Sequence, residues 1–404
     1  MATAATTVLQ IMIAAAVLLG GTIVLGRAVR QAGARRRARL AAPARRILLA
    51  LATGDDDPSL TDALAAVDAA TWRAIEPTVV GLLGKVRGEA HTALVAVLER
   101  RGMADRALSD VRRRGAVRRA RAAEVLGNLG RRDALHALHR LLTDPDPDVR
   151  TGAARALGRI GDPDSVDALL RCMVGARPVP PQFVVQALLR LGPAAQTRIQ
   201  AGLDHPHELV RATVAEVLGL AGAITATGRI EDVLRADPSL EVRLRAARAL
   251  GKLGTRSALV PLLDAVGPAH PAPLRAVAVR APGELGAVST VPTLAALLGD
   301  PEHAVAHRAA HALLRLGRAG QKALRESAAG VARTHSAAGT DAGAATDAGT
   351  GTDAGAGMDS TAGARAAAYA REALAVAAVE ERRRAAGVDA PVEPEPVLAA
   401  PVGG

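Results

Sequence analysis

Three histidines, His303, His307 and His311, stand four residues apart. On a helix that spacing stacks them along one side, where two imidazoles can share a metal ion. Other residues with chemical potential are sparser. Asp204–His205 sets an acid beside a base. His207–Glu208 begins like a zinc-protease motif but leads to Arg211, not to a second histidine. Gly84–Lys85 and Gly251–Lys252 lack the upstream glycine spacing and the Ser or Thr of a phosphate loop. His136 and His139 are weaker metal candidates than the histidine stripe. Cys172 is the only cysteine, so no intramolecular disulfide forms, and its apolar setting predicts a small core residue. Nothing sets an acid and a base against a nucleophile. The sequence therefore predicts no enzyme, no metal site and no cofactor.

The elements that would carry these residues are short helices in pairs. Asp144 to Met173 reads DPDPDVRTGAARALGRIGDPDSVDALLRCM. Either Asp144–Pro145 or Asp146–Pro147 can start a helix, the aspartate as N-cap and the proline as first helical residue. Val149, Ala153, Ala156, Leu157 and Ile160 then fall on one helical face. Gly161 suits the C-terminus. Asp162–Pro163 starts a second helix with Val166, Leu169, Leu170 and Met173 as its apolar face. On this pattern His303, His307 and His311 match Pro147, Thr151 and Arg155, which face away from the buried stripe, so a surface histidine row is expected.

The pattern recurs. Positions matching Leu157 are Leu126, Leu188, Leu218, Leu250, Leu285 and Leu313, at steps of 31, 31, 30, 32, 35 and 28. Val149 returns as Val210, Val242, Val277 and Val305, and Arg150 as Arg211 and Arg243. Each such arginine is expected to meet an acid of its own or the next repeat, with Asp148 and Glu241 as candidates. A pair this short cannot bury its own faces and needs stacked neighbours. Two units depart from the pattern. One opens with Arg177–Pro178–Val179–Pro180–Pro181. The other carries Pro282–Gly283 inside its first helix, where proline removes a hydrogen bond and should kink or shorten it.

These residues resemble HEAT repeats, of the short variety found in the bilin-lyase HEAT-like family, over residues 115–330. The resemblance implies an all-α fold, an α-α superhelix or HEAT-repeat solenoid; it is specific for fold and weak for function, and the binding role is drawn from the long face that stacked helix pairs form. Only Trp72, Phe183 and Tyr369 are aromatic, so the core is Ala, Leu and Val. The chain holds 48 Arg against three Lys, a skew that with the abundant alanine looks like a high-G+C bacterial coding sequence.

Outside the array, residues 1–26 carry no charge and read as a transmembrane anchor of about twenty apolar residues. An Arg-rich juxtamembrane segment, 27–46, follows. Arg27, Arg30, Arg35, Arg36, Arg37 and Arg39 are expected at the membrane surface, where anionic lipid headgroups are possible partners. This predicts a single-pass protein of the cell membrane, N-terminus outside and array in the cytoplasm. Residues 47–114 read as degenerate repeats or an N-terminal cap. Residues 331–363 read as a disordered Ala/Gly/Thr/Asp linker, 364–386 as a helix with Leu374 and Ala378 on one face, and 387–404 as a Pro-rich tail.

The function expected is that of a non-enzymatic, membrane-anchored scaffold or adaptor for a protein partner. Its candidate partner face is the row on the second helices that avoids the apolar stripe: His136, Arg140, Asp167, Arg171, Arg198 and Asp264. Their mixed signs favour a protein over a polyanion. One alternative is nucleic-acid binding, suggested by the net charge of +11, but the aromatic residues that stack bases are nearly lacking. The other is a HEAT-like lyase-type enzyme, for which no pocket residue can be carried over.

Overall fold

The computed structural model describes residues 27, 31–32, 35–36, 38–51, 53, 57–340 and 354–385. Among these residues the chain is an all-α helical repeat fold with no strand. It divides into two compact units, Met1–Leu191 and Gly192–Gly404.

The repeat in the first unit shows how sequence makes the hairpin. Asp146, not Asp144, is the N-cap of the helix Pro147–Ile160; its carboxylate accepts the backbone N–H of Asp148 at 2.9 Å and of Val149 at 3.3 Å. Gly161 closes that helix at φ 73°, in the left-handed region. The Asp162 carboxylate accepts the Asp164 N–H at 2.9 Å, and the turn Pro163–Ser165 runs on into the helix Val166–Arg171. Val149, Ala153, Ala156 and Leu157 of the first helix, with Val166 and Leu169 of the second, are fully buried. Each large side chain among them contributes about 1.5–3 kcal/mol of burial.

Successive first helices touch through one small position. A Cβ built on Gly158 would lie 2.7 Å from the Ala187 Cα, and one on Gly127 would lie 2.6 Å from the Ala156 Cα. In the second unit Gly219 meets Ala249 at 2.6 Å and Gly283 meets Ala312 at 2.8 Å in the same way. The glycine directly follows the repeat's anchoring leucine, and the alanine directly precedes the next one. This close approach corrects one assignment. Gly283 follows Pro282, so Pro282 and not Leu285 occupies the leucine position, and Leu274 rather than Val277 matches Val149. The steps between 250, 282 and 313 are then 32 and 31. As its proline requires, this first helix is broken into Ala272–Ala278 and Arg280–Glu284.

The corrected register exposes a ladder. Seven residues before the anchor stand Arg119, Arg150, Arg211, Arg243 and Arg275. Arg119 grips the carboxylate of Asp144 with two hydrogen bonds of 2.8 Å. Arg211 holds Asp237 at 2.7 and 2.9 Å, and Arg275 holds Asp300 at 2.6 and 3.1 Å. Each acid opens the following repeat, so the expected pairings with Asp148 and Glu241 are not the ones made; Glu241 binds Arg245 instead. Gly175 and Ala269 fill the acid's position after Arg150 and Arg243, and the Nε of each of these two arginines is buried without a partner, as is that of Arg275, whose Asp300 is held by the other two nitrogens. Arg150 turns back onto the carbonyls of Asp144 and Pro145 at 2.8 and 3.0 Å.

Residues 57–110, off the repeat pattern, form the helices Pro58–Ala66, Ala69–Leu83, Glu89–Arg100 and Met103–Asp110. Trp72 is buried there, with the Arg101 guanidinium 4.7 Å from its ring centre. Asp68 caps the Ala69–Leu83 helix, and the Thr71 hydroxyl donates to its carboxylate at 2.6 Å.

The second unit ends in two long helices, Arg318–Thr340 and Ala354–Ala385. Both run into residues read from composition as linker, because alanine is the strongest helix former. The last helix lies against the final hairpin through Ala367, Ala370 and Ala373, all buried, whereas Leu374 is half-buried and Ala378 is exposed. Arg365 donates to the Gly299 carbonyl at 3.3 Å, and the Tyr369 hydroxyl lies 2.6 Å from His303 Nδ1.

The expected single-pass location in the cell membrane is corrected. Among the described residues, no helix is long and apolar enough to cross a membrane. The repeat helices fall short of the roughly twenty residues a span needs, and Arg318–Thr340 carries Arg318, Lys322, Arg325 and Glu326 in its opening turns. The segment read as an anchor, residues 1–26, lies outside the described residues, as do the tail at 387–404, Arg30 and Arg37. Arg27, Arg35, Arg36 and Arg39 are exposed.

Candidate functional site

All six residues of the expected partner face are exposed, and all six sit on second helices. In the first unit His136 and Arg140 belong to Leu135–Leu141, and Asp167 and Arg171 to Val166–Arg171. In the second unit Arg198 belongs to Gln196–Ala201 and Asp264 to Leu259–Asp264. Their neighbours point the other way: Leu138, Leu169 and Leu262 are fully buried, and Ile199 nearly so. The short helices are thus set by their apolar stripe, and the polar row is what remains outside.

Two depressions open beside this row in the first unit. Arg171 borders a cavity of 620 Å³ together with His139, Thr143, Cys172 and Arg177. Arg140 borders a smaller cleft of 400 Å³ with Arg112, Arg113, Arg114 and Arg119. His139 Nε2 lies 3.1 Å from the Ser165 hydroxyl. Burial, with the charges of His136 and Arg171, pulls His139 below the ordinary imidazole range. Ser165 is fully buried, so the pair ties two second helices together and offers no nucleophile to solvent. Burial likewise pushes the Cys172 thiol up to about 12, and its Sγ donates to the Leu169 carbonyl at 3.1 Å.

The histidine stripe lies on the helix His303–Arg315. The rings of His303 and His307 stack at 5.6 Å between centres, and those of His307 and His311 meet edge-on at 4.6 Å. His303 and His311 are exposed and His307 is half-buried. Among the described residues no group of three His, Cys, Asp or Glu side chains converges as a metal site. His303 is engaged by Tyr369, a pairing between residues 66 apart that the sequence did not suggest.

A third surface was not anticipated. First helices of the second unit carry Arg248, Lys252, Arg280, Arg308 and Arg315 around a groove of 490 Å³. Arg155, Arg248 and Arg280 each stand two residues before the anchor position. The corrected register at Pro282 is the signal that aligns them. In the first unit Arg155 lies 5.8 Å from the Phe183 ring centre. Burial lowers the half-buried Arg159 from its ordinary value, Glu124 opposing this and Arg190 and Arg155 adding to it.

The family model for HEAT repeats matches residues 107–188 and 195–281. Three solved structures show the range of likeness. The complex of CpcE and CpcF of phycocyanin lyase from Nostoc sp. PCC7120 is 23% identical, with 55% of this chain and 92% of that chain covered and a TM-score of 0.28. Human deoxyhypusine hydroxylase in complex with glycerol is 21% identical over 69% of this chain and 97% of that one, with a TM-score of 0.28. Kap121p is 11% identical over 70% of this chain and 38% of that one, with a TM-score of 0.40. No curated protein matches the sequence. At such identities and scores the solved structures bear on neither activity nor ligand. The family match, with the paired helices and their period, shows that the chain carries HEAT repeats over residues 107–188 and 195–281.

Proposed function

We propose that the protein is a non-enzymatic scaffold that binds a protein partner through the exposed row of its second helices. The observation that carries this reading is the solvent exposure of Arg140, Asp167, Arg171 and their counterparts Arg198 and Asp264, against fully buried neighbours on the same short helices. Within each unit, stacked helix pairs present such residues as a binding surface. The row holds both acids and bases, which suits the mixed charge of a folded protein surface.

The test is capture from native extract by the full chain and by its Arg140→Glu, Asp167→Arg, Arg171→Glu variant. A protein retained by the first and lost by the second, with nuclease making no difference, supports the reading. An unchanged partner set, or capture abolished by nuclease, overturns it. Nuclease sensitivity would favour the second reading, nucleic-acid binding, for which the cleft of Arg112, Arg113, Arg114 and Arg140 is the supporting observation.

A further inference from the structure

We propose that the first-helix groove of the second unit is a docking site for a short acidic peptide. This surface is separate from the second-helix row, and its test stands whether or not that reading holds. The groove crosses three successive first helices: Leu240–Leu253, the broken pair Ala272–Ala278 and Arg280–Glu284, and His303–Arg315. Its floor is Ala247, Gly251, Ala281 and Ala312. These residues are small because the helices pack on them: a Cβ on Gly251 would meet the Ala281 methyl at 3.5 Å, and one on Gly283 the Ala312 Cα at 2.8 Å. Close packing of the repeats thus leaves a shallow apolar trough between rows of long side chains.

The rim is five cations, one acid and the two histidines His307 and His311. Glu284 accepts from Arg280 Nε at 2.6 Å and faces Arg315 at 3.4 Å. Arg308 is fixed by the Ala276 carbonyl at 2.8 Å. Arg248 and Lys252 are exposed and form no ion pair among the described residues. One carboxylate cannot neutralise five cations, and guanidinium forks over an apolar floor match carboxylates spaced along a chain with small side chains between them.

Two observations favour a peptide over a nucleic acid. Glu284, paired with Arg280 and Arg315, opposes any anion beside it; a nucleic acid carries a phosphate at every step, whereas a peptide can set an N–H against it. The basic run is also short. On the adjoining first helix Glu208–Leu220, Glu216 joins Glu241 in holding Arg245. The positive surface therefore spans only three helices, about 20 Å at 8–10 Å per helix, or about six extended residues.

The experiment is fluorescence anisotropy of a labelled twelve-residue peptide of alternating Glu and Ala with the full chain. Arg248→Gln with Lys252→Gln removes two exposed side chains that support nothing in the fold, and circular dichroism checks that. The expected result is saturable binding, weakened about tenfold by the double variant and tightened about threefold by Glu284→Gln. No saturable binding, equal binding by a Gln–Ala peptide, or equal affinity in the double variant overturns the proposal. So does a twelve-residue oligothymidylate that binds more tightly than the peptide and loses that affinity in the double variant.

Discussion

Two chemically identical substitutions in the first unit should move stability in opposite directions. Gly81 and Gly158 both lie within helices, Ala69–Leu83 and Pro147–Ile160. In either helix alanine gains about 1 kcal/mol over glycine from conformational preference, much of it through the unfolded chain. That gain is common to both. The native surroundings are not. A Cβ on Gly81 meets nothing within 4 Å. On Gly158 it meets the Ala187 Cα at 2.7 Å, and the Ala187 Cβ and carbonyl oxygen at 3.1 Å. Carbon atoms rest at about 3.5–4.0 Å, so the two helices must part by about 1 Å. None of the opposing atoms can rotate away, which puts the overpacking cost at the upper end of its usual range, about 3 kcal/mol.

Gly158→Ala is therefore expected to destabilise by about 2 kcal/mol net, and Gly81→Ala to stabilise by about 1 kcal/mol. Urea denaturation of the full chain followed by far-ultraviolet circular dichroism measures both. Native-state hydrogen exchange of the 147–190 amides localises the effect. If Gly158→Ala comes within about 0.5 kcal/mol of Gly81→Ala, which is smaller than any overpacking cost, close approach of first helices is not what the repeat glycine serves.

Other predictions concern the ladder and the last helix. Arg211→Ala strands the buried Asp237 carboxylate and should cost about 3 kcal/mol, whereas Arg229→Ala, which breaks the exposed pair with Asp204, should cost under about 1 kcal/mol; both are read by urea midpoint. Burial raises the Asp144 and Asp237 carboxyls, but hydrogen bonds from Arg119 and Arg211, backbone donors and nearby arginine charge outweigh it and hold both below the usual range. A depressed folded pKa means that the stabilisation is complete above the unfolded value of about 3.9 and is lost as pH falls through the folded one. Urea midpoints should thus drop steeply below about pH 4, and less steeply in Asp237→Asn. Ala269→Asp would supply the missing acid opposite Arg243 and should raise the unfolding free energy by up to about 1 kcal/mol. Tyr369→Phe removes the pairing with His303 and should speed amide exchange in residues 361–383, with global stability lowered by under about 1 kcal/mol.

The sequence and the structure agree where packing repeats. Val149, Leu157, Val166 and Leu169 were legible as core because burial recurs with the helical period, and all four are sealed. Asp146–Pro147, Gly161 and Asp162–Pro163 were legible because caps are local chemistry. Errors came where two residues competed for one role. Leu285 outranked Pro282 on apolarity, yet the shape of the helix interface selects the Leu-Gly slot, and Gly283 marks it. Asp148 and Glu241 were nearest in sequence to the ladder arginines. The partners that won, Asp144, Asp237 and Asp300, lie 25 or 26 residues on, a distance set by hairpin stacking and not by any local rule.

The binding surfaces were harder to read for a related reason. Repetition constrains only the positions that touch the next repeat. Exposed positions are free to differ, so Asp167 and Arg171 could be placed on a surface without any indication of what they meet. Arg248 and Lys252 escaped notice because they sit on first helices, whose apolar stripe looks complete. Their side chains gather only once Ala281 and Ala312 have drawn three helices close enough to form a floor. The small residues that stabilise the stack are thereby also the ones that shape the groove. A larger residue at Ala281 would damage both together, whereas Arg248→Gln with Lys252→Gln separates them by removing two of the groove's five cations and leaving the packing untouched.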